Sequence, residues 1–450
     1  MCAGSGGPHD RMTTAGKHAA ALMAVRRLRA AGFEALFAGG CVRDMLLGVA
    51  PKDFDVATSA RPDDVIALFE HTVAVGRAFG VIRVRIGDCF VETATFREDG
   101  PYADGRHPDR VTFSDAERDA NRRDFTINAM FYDPESDRLL DYVGGEADLR
   151  AGILRAVGDP ERRFREDHLR QLRALRFAAR LGFEIEPATW SALTRLAPLC
   201  GQTSAERIRD ELLLMLTEGR ARQAFELLDK TGMLARLLPE IDRLHGVAQP
   251  PEFHPEGDVW VHTLLLLEQL PPGCSPTLAL AALLHDIGKP DTQTHDDRIR
   301  FNDHDTLGAD MTRAICERLR LPRSTTDRVV WLVRNHMRLA HMPRMRESKR
   351  RRFAREPGFA ELVTLCTLDI RASHGRLDLI DWIATYIEEV PEEQRRPERL
   401  ITGRDLIALG YAPGPRFTEI LSAIEDAQLE GRIRTREDAI AMARRMWPVA

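Results

Sequence analysis

Two aspartates stand one residue apart near the start of the sequence, shortly after a pair of glycines. Residues 39–58 read GGCVRDMLLGVAPKDFDVAT, and Asp53 and Asp55 lie in the KDFDVAT segment. If this segment is a strand, both carboxylates point to one side, because side chains alternate between faces. Like charges so close are relieved by a shared proton or a bound cation, and oxygen ligands suit Mg²⁺.

Gly39, Gly40 and Arg43 precede the two aspartates. Backbone without a Cβ can approach a phosphate closely, and the N–H groups at the start of a following helix favour an anion. The two aspartates alone would equally fit a solvated surface strand. Their combination with the glycines and the arginine favours a site for a triphosphate and a metal.

A third carboxylate is expected on a predicted hairpin, VIRVRIGDCFVETATF, which turns at its Gly-Asp dipeptide. Phe90, Glu92, Ala94 and Phe96 share one face of its second strand. Glu92 is therefore a candidate third metal ligand. The alternative is an edge-strand glutamate in water.

Paired arginines follow in ANRRDFTINAMFYD, which contains Arg122, Arg123, Asp124 and Asn128. A guanidinium donates two parallel hydrogen bonds to phosphate oxygens. Such a cluster is common on protein surfaces, but after the glycines and aspartates it favours a nucleotide.

The segment REDHLRQLRALRF is predicted to be a helix on which Asp167 and Arg170 share one face and Glu166 braces the arginine. A carboxylate beside a guanidinium presents an acceptor next to donors. Cytosine and adenine carry an amino group where uracil and guanine carry a carbonyl, so the pair would accept C and A. The alternative is an intrahelical salt bridge worth roughly 0.2–0.5 kcal/mol.

Several segments between about residues 30 and 240 closely resemble the bacterial class of tRNA nucleotidyltransferases and poly(A) polymerases, and they occur in the order expected for that family. They are the glycine–aspartate stretch, VETATFREDGPYADGRHPDRVTF, RRDFTINA, GGEADLRAGILR, REDHLRQLRALRFAARLGF and AERIRDELL. The resemblance implies a polymerase-β-like head in which Asp53 and Asp55 hold Mg²⁺ ions that activate the 3′-hydroxyl of an RNA. It also implies binding of the nucleotide by the residues singled out above, with Asp167 and Arg170 choosing the base.

Within this family the product has to be chosen. The stretch AVGRAFGVIRV lacks the basic pattern associated with poly(A) polymerases, and YADGRHPDRVTF resembles the flexible loop of CCA-adding enzymes, with His107 in place of a more usual arginine. The expected activity is therefore addition of CCA to tRNA from CTP and ATP. Addition of CC or A alone, or of poly(A), remains open.

Histidines and aspartates in the second half form another candidate site. Neutral imidazoles and carboxylates suit a transition metal such as Mn²⁺, Ni²⁺ or Zn²⁺. Their order resembles that of the HD phosphohydrolase superfamily. The resemblance implies that metal ligands from different helices meet, and that the site hydrolyses phosphates or 2′,3′-cyclic phosphates on tRNA ends. The alternatives are a scaffold without chemistry, or a phosphohydrolase whose head only binds RNA. The ligands are His262, His285, Asp286 and Asp369, with His304 and His336 as possible additions.

The elements around these residues predict an α+β protein. We expect a disordered leader at 1–17, a head with a mixed sheet at 18–158, a helical neck and body at 159–248, a helical HD domain at 249–388 and a helical, tRNA-contacting tail at 389–450. The basic run at 344–355 is either a solvated helix face or a phosphate-contacting patch.

Composition fits this organisation. The chain has 450 residues, enough for about three domains, with 44% apolar residues and a net charge of −5. No apolar run approaches the roughly 20 residues needed to cross a bilayer, and the first residues lack a signal-peptide core. The seven cysteines show no CxxC spacing, which favours free thiols. These features predict a cytoplasmic protein.

Overall fold

The computed structural model describes residues 13–100, 109–252, 254–295 and 298–448. They form two compact units, which divide between residues 239 and 240. The expected disorder of residues 1–12 and the loop that contains His107 lie outside the described residues. The leader was predicted too long, because a helix begins at Thr14, where the Thr13 side chain accepts a hydrogen bond from the backbone of Gly16.

The first unit opens with a mixed sheet, as predicted. Seven strands pair in the order β3-β4-β5-β2-β1-β8-β9, with β2 antiparallel to β1 and parallel to β5. β6 and β7 form a separate ribbon. The strands are β1 (Ala35–Ala38), β2 (Asp55–Thr58), β3 (Thr72–Gly76), β4 (Val81–Ile86), β5 (Cys89–Thr95), β6 (Arg97–Asp99), β7 (Val111–Phe113), β8 (Phe131–Asp133) and β9 (Arg138–Leu140).

Five helices accompany this sheet: α1 (Thr14–Ala30), α2 (Gly40–Leu46), α3 (Pro62–Leu68), α4 (Ala116–Arg122) and α5 (Gly145–Ala151). A buried cluster beside the sheet includes Phe96 and Phe131, whose rings meet edge to face at 5.7 Å. Burial of such large apolar side chains holds β1, β2 and β8 in place. These strands position the polar residues at their ends.

The rest of the first unit is helical, apart from a short parallel pair formed by β10 (Ile153–Leu154) and β11 (Glu184–Ile185). Helix α7 packs against both α9 and α10. The helices are α6 (Pro160–Glu166), α7 (Leu169–Leu181), α8 (Pro187–Leu196), α9 (Ala205–Thr217), α10 (Ala221–Lys230) and α11 (Leu234–Leu237), followed by α12 (Pro239–Asp242) at the division.

The second unit is helical, with one hairpin of β12 (Gln293–His295) and β13 (Ile299–Phe301). Helices α22 to α24 build their own apolar core around Leu406, Ile420 and Trp447. The helices are α13 (Val259–Glu268), α14 (Pro276–Leu284), α15 (Lys289–Thr292), α16 (His304–Arg318), α17 (Arg323–Asn335), α18 (Glu347–Ala354), α19 (Phe359–Ala372), α20 (Asp378–Glu389), α21 (Glu392–Arg395), α22 (Gly403–Ala408), α23 (Pro415–Leu429) and α24 (Arg436–Met446).

Two properties of the described residues bear on the sequence predictions. None of their helices is long and apolar enough to cross a membrane. Their six cysteines are all unpaired, as the spacing predicted.

Candidate functional site

Asp55 and Glu92 lie side by side on adjacent strands. In the parallel pairing of β2 with β5, Val56 is opposite Thr93, so the preceding residues, Asp55 and Glu92, are neighbours on one face. Desolvation by the surrounding protein and the charges of Glu92 and Asp53 raise the pKa of Asp55 to about 7, although the residue itself is exposed at the cavity surface. Such crowding of carboxylates is relieved by a divalent cation, and their oxygens are the ligands that Mg²⁺ takes. The pair therefore fits a magnesium site.

Asp53 is placed differently from the sequence prediction. The predicted strand KDFDVAT starts only at Asp55, and Asp53 precedes it. The side chain of Asp53 is 66% exposed, and its Oδ1 lies 3.1 Å from Lys17 Nζ on α1. Its charge still raises the pKa of Asp55, so the two aspartates are electrostatic neighbours although they do not share a strand.

Gly39 connects β1 to α2 in a conformation that favours glycine. Its φ is +75°, and an added Cβ would lie 3.0 Å from Arg123 Nη1. Gly40 follows as the first residue of α2, and both glycines line the same cavity as Asp55. The backbone here is open to close approach by a ligand, as the sequence indicated.

Arg43 is buried and held by its neighbours. Its Nε donates to Asp44 Oδ1 at 2.8 Å, and its Nη1 donates to Asn128 Oδ1 at 2.6 Å. The guanidinium also lies over the ring of Phe177, with 5.3 Å from Cζ to the ring centroid. Arg43 and Asn128 are thus brought together from distant parts of the chain.

Arg122 and Arg123 share one buried carboxylate, Asp119. Their Nη2 atoms lie 2.6 and 3.0 Å from its two oxygens. Burial opposes ionisation of Asp119, but the two guanidinium groups outweigh it and lower its pKa. The sequence predicted the arginine pair and missed this aspartate, which stands one helical turn earlier on α4.

Asp124 is paired with an arginine that the sequence reasoning did not select. Arg173 on α7 donates from Nε and Nη2 to Asp124 Oδ2 at 2.8 and 2.7 Å. Despite burial, this contact lowers the pKa of Asp124 to about 2. The same helix also presents Arg176 and Arg180 to the cavity at three- and four-residue spacing.

The predicted helix through REDHLRQLRALRF is interrupted. Helix α6 ends at Glu166, Asp167 has an extended backbone, and α7 begins at Leu169. Glu166 braces Arg170 as predicted, with 2.9 Å from Oε2 to Nη1. Asp167 is instead held by Arg207 of α9, which donates from Nη1 and Nη2 at 3.0 and 2.8 Å.

These side chains surround one cavity of about 700 Å³ in the first unit. The cavity is strongly basic, although Asp55, Glu92, Asp124, Asp167 and Glu218 also line it. Its basic residues are Arg43, Lys52, Arg97, Arg122, Arg123, Arg170, Arg173, Arg176, Arg180 and Arg207. A polyphosphate fits this excess of guanidinium donors. Every predicted catalytic or nucleotide-binding residue of the first unit except Asp53 and Glu166 lines the cavity.

Three histidines of the second unit each turn one ring nitrogen towards Asp286. His285, His304 and His336 each place Nδ1 2.6–3.0 Å from a backbone carbonyl three residues earlier. An Nδ1–H that donates to a carbonyl leaves Nε2 as the free lone pair. This is the orientation that a metal-binding histidine requires.

Asp286 is the centre of this group. Its oxygens lie 3.1 Å from His285 Nε2, 3.5 Å from His304 Nε2 and 3.9 Å from His336 Nε2. Burial opposes ionisation of Asp286. Its interactions with His285, Lys289 and His304 outweigh burial and hold the pKa of Asp286 well below its usual range. Burial and the neighbouring imidazoles lower the pKa of His336 to about 4.

His262 joins the group from α13. Its Nε2 lies 3.0 Å from Asp369 Oδ1 and 3.9 Å from Asp286 Oδ2. Its Nδ1 lies 2.7 Å from Glu256 Oε1, a carboxylate that the sequence analysis did not select. Burial lowers the pKa of His262, yet the contacts with Asp369 and Glu256 raise it to about 9.

The donor set of this HD cluster fits a metal. His262 Nε2, His285 Nε2 and Asp286 Oδ2 are buried without a well-aligned hydrogen-bond partner. All six predicted ligands are brought together, and Glu256 supports one of them from behind. Lys289 Nζ also contacts Asp286, at 2.6 Å. Imidazole and carboxylate ligands suit Mn²⁺, Ni²⁺ or Zn²⁺.

The basic run at 344–355 is largely satisfied within the protein. Arg352 of α18 lies 2.8 Å from Glu425 and 3.1 Å from Asp426 on α23, and Arg355 lies 2.7 Å from Glu425. Arg351 is paired with Glu347 at 2.6 Å. Arg352 and Arg355 thus attach α18 to α23, so these two arginines are neither simply solvated nor free to contact phosphate.

Four family models match the chain in succession. They are the poly A polymerase head domain (residues 35–155), the probable RNA and SrmB-binding site of polymerase A (182–244), the HD domain (259–370) and a putative tRNA nucleotidyltransferase domain 2 (384–443).

Curated relatives of two kinds match at similar identity. Poly(A) polymerase I of Escherichia coli O6:H1 is 42% identical over 237 residues, which cover 50% of each protein. The CCA-adding enzyme of Geobacillus stearothermophilus is 44% identical over 219 residues, which cover 48% of this chain and 54% of that enzyme. The chain thus spans about half the length of the curated relatives it matches.

Solved structures match over nearly the whole chain. The CCA-adding enzyme of Bacillus stearothermophilus in complex with CTP is 27% identical, with a TM-score of 0.71 over 96% of this chain and 98% of that one. The Thermotoga maritima CCA-adding enzyme complexed with tRNA shares the fold, with a TM-score of 0.58 at 20% identity over 95% and 94%. With its head, RNA-binding, HD and C-terminal matches, the chain belongs to the family of bacterial tRNA nucleotidyltransferases and poly(A) polymerases.

Proposed function

We propose that this protein is a template-independent nucleotidyltransferase that adds CCA to the 3′ ends of tRNA from CTP and ATP. The observation that carries this proposal is the single basic cavity, which combines adjacent carboxylates with guanidinium donors and a carboxylate–arginine pair. Carboxylates and arginines in one cavity can hold a metal, a triphosphate and a base at the same time.

The carboxylates and arginines have separate roles in this proposal. Asp55 and Glu92, with Asp53 beside them, would hold Mg²⁺, which supplies Lewis-acid activation of the attacking 3′-hydroxyl and charge neutralisation on the departing pyrophosphate. Arg122 and Arg123 donate to phosphate oxygens while Asp119 fixes their orientation. The open backbone at Gly39 allows the phosphates close to the chain.

The base is selected by protein groups. Asp167 offers an acceptor and Arg170 a donor, a pattern complementary to cytosine and adenine. Glu166 and two backbone carbonyls hold the Arg170 guanidinium, at 2.9–3.1 Å. A site with fixed donors and acceptors rejects a base that leaves them unpaired. Uracil and guanine are therefore excluded.

Sequence identity and coverage do not separate CCA addition from poly(A) synthesis, because the G. stearothermophilus CCA-adding enzyme and the E. coli poly(A) polymerase each align over about half of both proteins. The choice of CCA is supported by the solved structure of the B. stearothermophilus CCA-adding enzyme, which matches the fold nearly from end to end. The sequence also lacks the basic stretch associated with poly(A) polymerases. Addition of CC, A or poly(A) is the competing activity within the family.

We further propose the predicted organisation into a head, which the helix at Thr14 extends to 14–158, a neck and body at 159–248, an HD domain at 249–388 and a tail at 389–450. The four family matches fall in the same order, and the tail has its own apolar core. The tail is assigned to contact with tRNA.

An extension assay tests the principal activity. Transfer RNAs that end before CCA, after C and after CC are incubated with each nucleotide alone and with CTP plus ATP, and the products are resolved on a denaturing gel. Addition of the missing nucleotides followed by arrest supports the proposal. A stop at CC, use of the CC-ended tRNA only, or a long ATP-dependent ladder identifies another family activity; no extension refutes a transferase.

The HD cluster favours a second activity, metal-dependent hydrolysis of phosphates or 2′,3′-cyclic phosphates on tRNA ends. Its carrying observation is the convergence of buried imidazole and carboxylate atoms, among which His262 Nε2 and His285 Nε2 lack an aligned hydrogen-bond partner. A metal bound there would polarise the phosphate and lower the pKa of a bound water. The protein groups orient that metal through the carbonyls and Glu256 behind the imidazoles.

Substitutions in the HD motif test this second activity. His285→Ala and Asp286→Ala should each abolish hydrolysis of a terminal 2′,3′-cyclic phosphate on RNA to the ring-opened monophosphate. His295→Ala, at an exposed position of β12, is the matched control. Unchanged turnover in both motif variants contradicts an HD phosphohydrolase and leaves the domain as a scaffold.

A further inference from the structure

Arg207 holds the carboxylate that selects the base. It is 40 residues away from Asp167 in sequence and reaches it from the first turn of α9. Its two terminal nitrogens donate to the two different oxygens of Asp167, at 3.0 and 2.8 Å. Such a fork fixes the plane of a carboxylate as well as its position.

A third donor leaves Asp167 with little freedom. The backbone N–H of Leu169 donates to Asp167 Oδ1 at 3.1 Å. A carboxylate has about four acceptor positions, and Arg207 and Leu169 occupy three of them. The remaining one is available to a base, because Asp167, Arg170 and Arg207 line the same cavity.

We propose that Arg207 is a specificity-determining positioning residue, which orients Asp167 so that its remaining acceptor meets the exocyclic amino group of cytosine or adenine. The inference rests on the proposed nucleotidyltransferase function and names the group that makes its selection strict. Without the fork, the terminal torsion of an aspartate is broad and roughly two-fold. Asp167 would then face the base in several orientations.

The pairing also restrains Arg207 itself. A guanidinium only donates, so a free Arg207 in this cavity would bind the O4 of uracil or the O6 of guanine. Asp167 accepts one N–H from each terminal nitrogen of Arg207, which holds the guanidinium flat against the carboxylate and keeps it from turning towards the base. Each partner therefore prevents the other from recognising the wrong base.

Four variants of the full-length protein separate these effects. Arg207→Lys keeps the charge and loses the fork, Arg207→Gln loses both, Asp167→Ala frees Arg207, and the double variant removes the pair. The matched control is Arg209→Gln on the same helix, since Arg209 pairs with Asp210 and does not line the cavity. The readouts are kcat/KM for CTP against UTP on tRNA ending before CCA, and for ATP against GTP on tRNA ending in CC.

The expected result is a graded loss of discrimination. Arg207→Lys should lower the CTP/UTP and ATP/GTP ratios by about tenfold and Arg207→Gln by more, with the KM for tRNA unchanged. Asp167→Ala should raise kcat/KM for UTP and GTP, and adding Arg207→Gln should abolish that gain. Arg209→Gln should discriminate like the wild type.

Two results overturn the inference. One is wild-type discrimination in both Arg207 variants while Asp167→Ala loses it. The other is an equal loss of kcat/KM for all four nucleotides, which indicates a structural role and which thermal melting would register. Failure of the proposed function looks different, because the wild type would then extend no tRNA. The Arg207→Lys variant keeps the test valid if Arg207→Gln does not fold.

Discussion

The cavity of the first unit and the HD cluster of the second use similar residue types in opposite ways. In the cavity, arginines far outnumber carboxylates, and side chains such as Asp167 and Arg207 are still 17% and 26% exposed. In the cluster, His262, His285 and Asp286 are almost fully buried, and one ligand atom of each lies within 4.8 Å of those of the other two. An open basic cavity admits a large anion, whereas a closed set of lone pairs suits a small cation.

The two sites differ in how far their polar side-chain atoms are paired within the protein before a ligand binds. Every selected arginine in the cavity has a carboxylate or carbonyl partner, such as Asp119 for Arg122 and Arg123. The HD cluster keeps buried atoms without aligned partners, and such atoms are costly to the folded state. We therefore expect the HD cluster to depend on its ligand more strongly than the cavity does.

The largest effect is expected from Asp55→Asn. Losing a metal ligand should slow nucleotide addition by about a thousandfold or more, since a catalytic metal contributes several kcal/mol and 1.36 kcal/mol is tenfold in rate. Single-turnover extension of tRNA measures the rate. Asp88→Asn, at the exposed hairpin turn, is the control. An Asp55→Asn rate within tenfold of the wild type contradicts the cavity assignment.

Asp286→Asn should impair metal binding by the HD cluster without slowing nucleotide addition in the cavity. The variant loses the carboxylate on which His285, His304 and His336 converge. We expect the metal content of the purified protein to fall to background and the extension rate to stay within twofold. Elemental analysis and the extension assay measure the two quantities. Full retention of metal, or a parallel loss of extension, would contradict independent sites.

How far the sequence anticipated these sites depends on the distance between partners. Side-chain alternation placed Glu92 on one face of its strand as a candidate metal ligand, and the parallel register puts it beside Asp55. Continuous helical spacing through REDHLRQL concealed the break at Asp167. The Arg207 partner lies 40 residues away, outside any local periodicity. Pairings of that kind arise from packing of α7 against α9, which no single segment encodes.

The HD cluster shows the same limit on a smaller scale. Its ligands could be named from the sequence because their order along the chain resembles that of the HD phosphohydrolase superfamily. Glu256 was missed because it follows a proline-rich stretch that predicts a linker. Its role depends on the side chain of His262 reaching back to it at 2.7 Å, which is a tertiary contact.

A smaller effect is expected from Asp124→Asn under acid. The pKa of Asp124 is about 2 in the fold against a usual value of 3.8, so its ionisation stabilises the fold above about pH 4. That contribution, about 2 kcal/mol, should disappear as the pH falls from about 4 towards 2. Urea unfolding measured across this range should show the stability gap between wild type and variant shrinking. A constant gap contradicts the ion pair with Arg173.

The smallest effect is expected from Arg352→Gln. Its partly exposed ion pairs with Glu425 and Asp426 should contribute about 1 kcal/mol or less, seen as a slightly lower melting temperature. The salt dependence of tRNA binding should not change, since this arginine is already occupied. Lys349→Gln, exposed on the same helix, is the control. A shallower salt slope in Arg352→Gln alone would restore the phosphate-contacting interpretation.

The most direct test of the proposed CCA addition is a competition among all four nucleotides. A tRNA that ends before CCA is incubated with Mg²⁺ and equal concentrations of ATP, CTP, GTP and UTP, and the 3′ ends of the products are sequenced. The proposed function predicts C, C and A followed by arrest, with U and G absent. Ends that carry U or G, a run of A, or no added nucleotide would contradict it.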